Sequence, residues 1–325
     1  MNMVPVRLNT LPGLSDIPDE VTVQGYGAKN DFVPEKDPYY IFRKDDVRVI
    51  GGFLTNPICG GLLLSGPHGS GKSSVIHQLH AYLNRPLFYT SGQENLEWED
   101  LLATKEIVDG DTVTLDGPLL QAARMPHATF LFEEVDRARS KVSVAMNPVL
   151  DGYSIVNTLD SGSRIKPHEG FRVMLTANTN GQGDMTGDYN SAVAMDASFL
   201  DRVMCHEVWY PDPEQEFAIL RKRVTDRVDD TRLRQSIAFA NDVRFLFTNR
   251  DQDASSAAQS LGVSGSIHTT ISTRALASLW NAMTIYSRVD NPILNALRLV
   301  VTNKCTKECA EAIEQLAMAQ FAGDA

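Results

Sequence analysis

The run Gly66-Pro67-His68-Gly69-Ser70-Gly71-Lys72-Ser73, followed by Ser74, satisfies every fixed position of the phosphate-loop pattern G-x-x-x-x-G-K-[ST]. Glycines at those places let backbone N–H groups turn toward phosphate oxygens, and a helix starting near the lysine aims the positive end of its dipole at them. Lys72 is expected to reach the β- and γ-phosphates of ATP, and the Ser73 hydroxyl to bind Mg²⁺. A Gly/Ser-rich turn can match by chance. Here an apolar stretch, 61–64, precedes the loop and an amphipathic one, 73–83, comes after it, which is the strand, loop and helix order the chemistry requires.

About sixty residues beyond the lysine, the apolar run Thr129-Phe130-Leu131-Phe132 ends in Glu133-Glu134. Phosphoryl transfer to water needs a carboxylate on the metal side and a second group that orients the attacking water. Neighbouring residues on a strand point to opposite sides, so an acid pair at a strand end can fill both places. Glu133 is then the Mg²⁺-side acid and Glu134 the base. Three more polar residues stand at element ends: Asn178 after the apolar run 171–177, Arg202 in Leu200-Asp201-Arg202, and Arg274 in Ser272-Thr273-Arg274. Ligands of α/β folds bind at the carboxyl edge of the sheet, which is where Asn178 falls. An arginine at a helix end is, by itself, as readily a solvated or ion-paired residue.

These residues need a scaffold, and the apolar pattern outlines one. Short apolar stretches at 61–64, 86–90, 129–132, 171–177 and 204–209 alternate with polar or helical segments, the mark of a parallel sheet covered on both faces. Helical spacing runs from 40 to 54 and stops at Asn56-Pro57. After Pro211-Asp212-Pro213 only helices are expected, at 214–224, 231–247, 272–287, 291–302 and 306–320, with a polar loop at 250–266. The expected division is an irregular arm over 1–35, an α/β nucleotide-binding domain over 36–210 and an all-helical domain over 211–325. Alternation around Asp109-Gly110 predicts a hairpin, with a helix from Asp116 after it.

Composition narrows the class. The 325 residues carry 30 Lys+Arg against 41 Asp+Glu, a net charge of −11, which argues against nucleic acid as a partner. No apolar run reaches the length of a membrane-spanning helix, the beginning lacks the layout of a secretory signal, and four scattered cysteines do not make a disulfide framework. A reduced, cytoplasmic protein is expected. Cys305 and Cys309 lack the companion pair that zinc requires, and His77 and His80 read as solvated or structural rather than as ligands.

Together these residues resemble the AAA+ ATPases of the MoxR group, and within it the small ATPase subunits of aerobic cobaltochelatases. The resemblance reaches beyond the nucleotide motifs to Phe32-Val33-Pro34, Asp37-Pro38-Tyr39-Tyr40-Ile41-Phe42, His68, Ile165-Lys166-Pro167-His168, the run from Thr176 to Gly187, Asp201-Arg202 and Thr302-Asn303-Lys304-Cys305. It implies an AAA+ P-loop domain with a helical lid, working as a homo-oligomeric ring, expected to be a hexamer, with ATP at subunit boundaries. It makes Asn178 the sensor of the attacking water, Arg202 the finger into the neighbouring site and Arg274 the lid arginine. It implies a partner with an integrin-like metal-binding domain and a large client subunit that inserts cobalt into a corrin. The segment 92–120 would face the pore. Glu133 departs from the aspartate usual in the group, so slow hydrolysis, with the chain acting more as a nucleotide-binding scaffold, is one alternative. A MoxR-type chaperone with another client and a nucleic-acid motor are the others.

Overall fold

The computed structural model describes residues 2–108, 110–181, 183, 192–224, 228–248 and 267–321. It divides into two compact units, residues 1–67 with 71–209 and residues 68–70 with 210–325.

The first unit begins with an antiparallel pair, β1 (Met3–Arg7) and β2 (Thr22–Tyr26), and continues through α1 (Lys44–Thr55), β3 (Gly61–Ser65), α2 (Lys72–Leu83), β4 (Leu87–Ser91) and α3 (Trp98–Leu102). Next come the hairpin β5 (Ala103–Val108) and β6 (Asp111–Asp116), then α4 (Pro118–Arg124), β7 (Thr129–Glu133), α5 (Ser140–Ala145) and α6 (Asn147–Leu150). A small pair, β8 (Ile155–Asn157) and β9 (Ser163–Ile165), leads to β10 (Arg172–Ala177), α7 (Ala197–Leu200) and β11 (Val203–Glu207).

Five of these strands form one parallel sheet in the order β11-β3-β10-β7-β4. Alternation sorts their side chains between two cores. Leu62, Leu64, Leu131 and Met174 pack with α1 and α2, whereas Leu63, Phe130, Phe132, Val173 and Leu175 pack with α3 to α6. Helices on both faces explain why the central strands β3, β7 and β10 read as largely apolar runs, whereas the edge strands β4 and β11 end in polar, partly exposed residues. The first strand, β3, lies between the last two, β10 and β11, so the strand order reverses beside it, and the crevice at the carboxyl ends there is where α/β folds take ligands.

Within residues 1–35, expected to be an irregular arm, residues 3–26 are instead packed onto the first unit. Backbone N–H groups of Leu11, Leu14 and Ile17 donate to the carbonyls of Leu8, Leu11 and Leu14, a chain of three-residue turns that points four apolar side chains inward. Leu8, Leu11, Leu14, Ile17 and Val23 are buried in the same core as α1 and α2. The hairpin expected around Asp109-Gly110 is present as β5 and β6, although Asp109 itself lies outside the described residues.

The second unit contains α8 (Pro213–Arg223), α9 (Asp230–Thr248), α10 (Thr273–Ala282), α11 (Pro292–Val300) and α12 (Lys307–Gln320) around a core that includes Leu220, Phe239, Trp280 and Ile313. No strand is found among its described residues. α10 ends earlier than the 272–287 the spacing predicts, the chain passing into turns after Ala282. Buried Arg244 donates twice to Glu216, at 2.7 Å each, and its guanidinium lies 4.2 Å from the Tyr210 ring centre. The polar loop expected at 250–266 lies outside the described residues.

Leu14 is fully buried, so Leu14→Ala should cost about 2–5 kcal/mol of stability in urea unfolding. A change below about 0.5 kcal/mol, as a surface position gives, would contradict the packing of this segment.

Candidate functional site

β3 ends at Ser65, and the chain turns through Gly66, Gly69 and Gly71 before α2 begins. Gly71 caps α2 at φ 98°, a left-handed conformation that side chains rarely adopt. The turn brings the Lys72 side chain back over the loop. Its ammonium donates to the carbonyls of Gly66 (2.8 Å) and Pro67 (3.0 Å) and to Asn178 Oδ1 (3.1 Å). The residue is 8% exposed, and burial lowers its pKa to about 8 against the opposing pull of Asp136 and Glu134. Ser70 Oγ is buried in the loop without a hydrogen-bond partner, an orphan hydroxyl that a phosphate oxygen would satisfy.

Glu133 is the last residue of β7, and the register with β4 sets Ser91 opposite it. His77 foremost, then the hydroxyls of Ser73 and Ser91, hold its carboxyl below the usual carboxylate range despite burial. His77 Nε2 lies 3.6 Å from Glu133 Oε1. A serine hydroxyl and a carboxylate meeting at a phosphate loop form a hard oxygen set that fits Mg²⁺, and Ser73 and Glu133 are the residues that would hold it. Among the described residues no group of three or more His, Cys, Asp and Glu forms a metal site alone. Mg²⁺ characteristically keeps waters and substrate phosphates as its other ligands.

Glu134 sits just beyond the strand at φ 49° and ψ 44°, strained for a non-glycine residue. Its N–H donates to Thr176 Oγ1 at 3.0 Å, and its carboxylate accepts from Arg137 Nη1 at 2.6 Å. The chain leaving β4 passes so close that a Cβ on Gly92 would lie 2.1 Å from the Glu134 carbonyl oxygen, so only glycine fits there. Asp136, 1% exposed, ties this segment to the end of β10: its Oδ2 accepts from the N–H groups of Asn178 (2.8 Å) and Thr179 (3.1 Å) and from Thr179 Oγ1 (3.3 Å). Oδ1 is buried without a partner, and burial raises the pKa of this acid.

The structure thus brings together Lys72, Ser73, Glu133, Glu134 and Asn178. Arg202 is elsewhere. It precedes β11, whose first residue pairs with Gly61, so it lies at the amino edge of the sheet, one strand length of about 16 Å from the loop. There it donates to Asp151 Oδ1 (2.9 Å) and the Ser198 carbonyl (2.6 Å). Arg274 is exposed in the first turn of α10, in the second unit, behind the capping residue Ser272. Sequence reasoning missed Asp136 and Arg137, whose only signal is their closeness to the acid pair, and it set His77 aside although His77 is four residues from Ser73 and so on the same helix face. Of the run 176–187, residues 182 and 184–187 lie outside the described residues.

A phosphate loop, a strand-end acid pair and a polar residue just past the intervening strand are the parts of a P-loop nucleotide-binding site. Residues 61–201 match the AAA domain of the dynein-related subfamily. The chain is 34% identical over 214 residues to the aerobic cobaltochelatase subunit CobS of a Sinorhizobium species, covering 62% of this chain and 63% of that protein. It is 31% identical over 202 residues to protein NorQ of Paracoccus denitrificans (strain Pd 1222), covering 62% and 69%, and 27% identical over 192 residues to protein CbbQ of Hydrogenophilus thermoluteolus, covering 59% and 68%. The chain spans less than two thirds of the length of CobS. It belongs to the AAA ATPase family, in the dynein-related, MoxR-like group. No helix among the described residues is long and apolar enough to cross a membrane.

The electrostatics of Lys72 are testable in the ligand-free protein. Its folded pKa lies near 8 and its ordinary value is 10.5, so between these the unfolded chain holds a proton that the native state has released. Stability therefore rises with pH across that window, and below it the full burial penalty applies. Relative to Lys72→Met, the natural chain should gain on the order of 1–3 kcal/mol between about pH 8 and pH 10.5 in urea titrations. Parallel pH profiles for the two proteins would refute the buried-ammonium description.

Proposed function

We propose that this chain is the motor subunit of a protein-remodelling machine, binding ATP with Mg²⁺ at the loop 66–74 and passing the free energy of hydrolysis to a protein partner. The observation that carries the reading is the convergence of Lys72, Glu133, Glu134 and Asn178 at one sheet edge. Lys72 takes the β- and γ-phosphates, exchanging the carbonyls of Gly66 and Pro67 for full negative charges. Glu134 accepts a proton from the attacking water once it leaves Arg137, and Asn178 helps to orient that water. Ser73 and Glu133 would hold the Mg²⁺, which would supply positive charge against the phosphate oxygens.

The position of Arg202, at the edge of the sheet away from its own loop, supports a role in a neighbouring subunit's site and hence a ring, for which we propose six members. Arg274 we assign to the lid, reporting on the γ-phosphate. By its name CobS is a cobaltochelatase subunit, and the identity to it supports a client of the same kind: a large enzyme subunit that inserts cobalt into a corrin, approached through a partner with an integrin-like domain. Co-purification in the presence of ATP tests the client. A large corrin-binding subunit is expected, and a different large enzyme would redirect the chain to a MoxR-type chaperone role.

Lys72→Ala should abolish ATP binding, whereas Glu134→Gln should bind ATP and lose about 10²-fold or more in turnover. Intact turnover in both would place the site elsewhere. Mixing Arg202→Ala with Lys72→Ala subunits should restore part of the activity, because wild-type Arg202 and wild-type Lys72 then meet across some boundaries. A mixture as inactive as its components would count against sites shared between neighbours.

A further inference from the structure

Glu133 carries one methylene more than an aspartate, and so one more torsion to order before its carboxylate can serve a small, geometrically demanding cation. Two elements close around that carboxylate. α2 presents Ser73 and His77, four residues apart and therefore on one helix face. β4 presents Ser91, in register with Glu133, and Tyr89, two residues earlier and on the same side of the strand. The Tyr89 and His77 rings meet edge to face, with centres 5.1 Å apart and planes at 65°, which fixes the imidazole. At 3.6 Å, His77 Nε2 is beyond a direct hydrogen bond to Glu133 Oε1 and within the reach of a bridging water.

We infer that His77, braced by Tyr89 and aided by Ser91, is a positioning residue that sets the Glu133 carboxylate beside the Ser73 hydroxyl and thereby determines the affinity of the site for the divalent cation of a metal–nucleotide substrate. This rests on the reading of the loop as an ATP site. A histidine that was only a solvated residue of α2 would need neither the ring contact nor the carboxylate. A glutamate left unbraced would spread over several rotamers, and ordering it at the moment of metal binding would weaken the complex. Outer-shell partners of this kind are worth about 10–100-fold in metal affinity. The effect is specific to a glutamate, because an aspartate holds its carboxylate nearer its own strand and out of His77's reach.

The experiment uses the full chain and two readouts. Calorimetry measures ATP binding with chelator present and then with Mg²⁺, and electron paramagnetic resonance measures Mn²⁺ binding to the ATP complex. His77→Ala should weaken Mn²⁺ binding about ten-fold or more while leaving metal-free ATP affinity unchanged. His77→Gln, whose amide can still face the carboxylate, should recover most of the loss. In a Glu133→Asp background His77→Ala should change Mn²⁺ affinity by less than about two-fold. Unchanged Mn²⁺ binding in His77→Ala, or an equal loss in the Glu133→Asp background, overturns the inference. Should His77→Ala fail to fold, Ser91→Ala in the two backgrounds decides the same question, with a loss confined to the glutamate background expected and an equal loss in both overturning it. ATP binding without any His77 or Ser91 effect leaves the nucleotide reading standing and removes this inference. No ATP uptake by the natural chain removes both.

Discussion

A nearly dehydrated ammonium must be answered by oxygen, and the organisation of this site derives from how Lys72 is answered. Its three donors are spent on two loop carbonyls and on Asn178 Oδ1, neutral acceptors that only partly offset the loss of water. The depressed pKa expresses the remaining deficit. A polyphosphate would remove it by supplying full negative charge where the carbonyls supply dipoles. One of the three acceptors is Asn178, whose N–H is in turn held by Asp136, so the lysine, the end of β10 and the segment behind the acid pair form one hydrogen-bonded chain.

The parallel sheet makes that convergence possible. Ala177 pairs with Ser65 and Leu175 with Phe132, so β3, β7 and β10 finish at nearly the same level, and the residues just past the three strand ends meet one another. The same geometry sends Arg202 to the opposite edge. An arginine placed there is out of reach of its own loop and is held by Asp151 and the Ser198 carbonyl, and the proposed role in a neighbouring site would need a second copy of the chain. The strain at Glu134 belongs with this arrangement: a left-handed residue directly after the strand turns its N–H onto Thr176 of β10 and its carboxylate onto Arg137.

Local features could be read without coordinates. The loop pattern, the acid pair and Asn178 each announce themselves within a few residues, and the three central strands, β3, β7 and β10, are largely apolar because both of their faces are covered. Features that depend on packing were harder. Leu8, Leu11, Leu14 and Ile17 recur every third residue, a signal obscured by the prolines and glycines around them, so a buried segment looked like an arm. His77 acquires meaning only when β7 and β4 bring Glu133 and Tyr89 to its face of α2. Asp136 comes soon after a residue of unusual backbone conformation, and nothing in the spelling of Glu133-Glu134-Val135-Asp136 reveals that Glu134 turns left-handed and swings the aspartate under β10.

The proposed function turns on one nucleoside triphosphate held by the loop at 66–74 and the acid pair at 133–134. Calorimetric titration of a slowly hydrolysed ATP analogue into the folded natural chain, with excess Mg²⁺, puts that to the test. Saturable uptake of one nucleotide per chain is expected, weakened when the metal is chelated. Absence of any saturable binding by properly folded protein would contradict it.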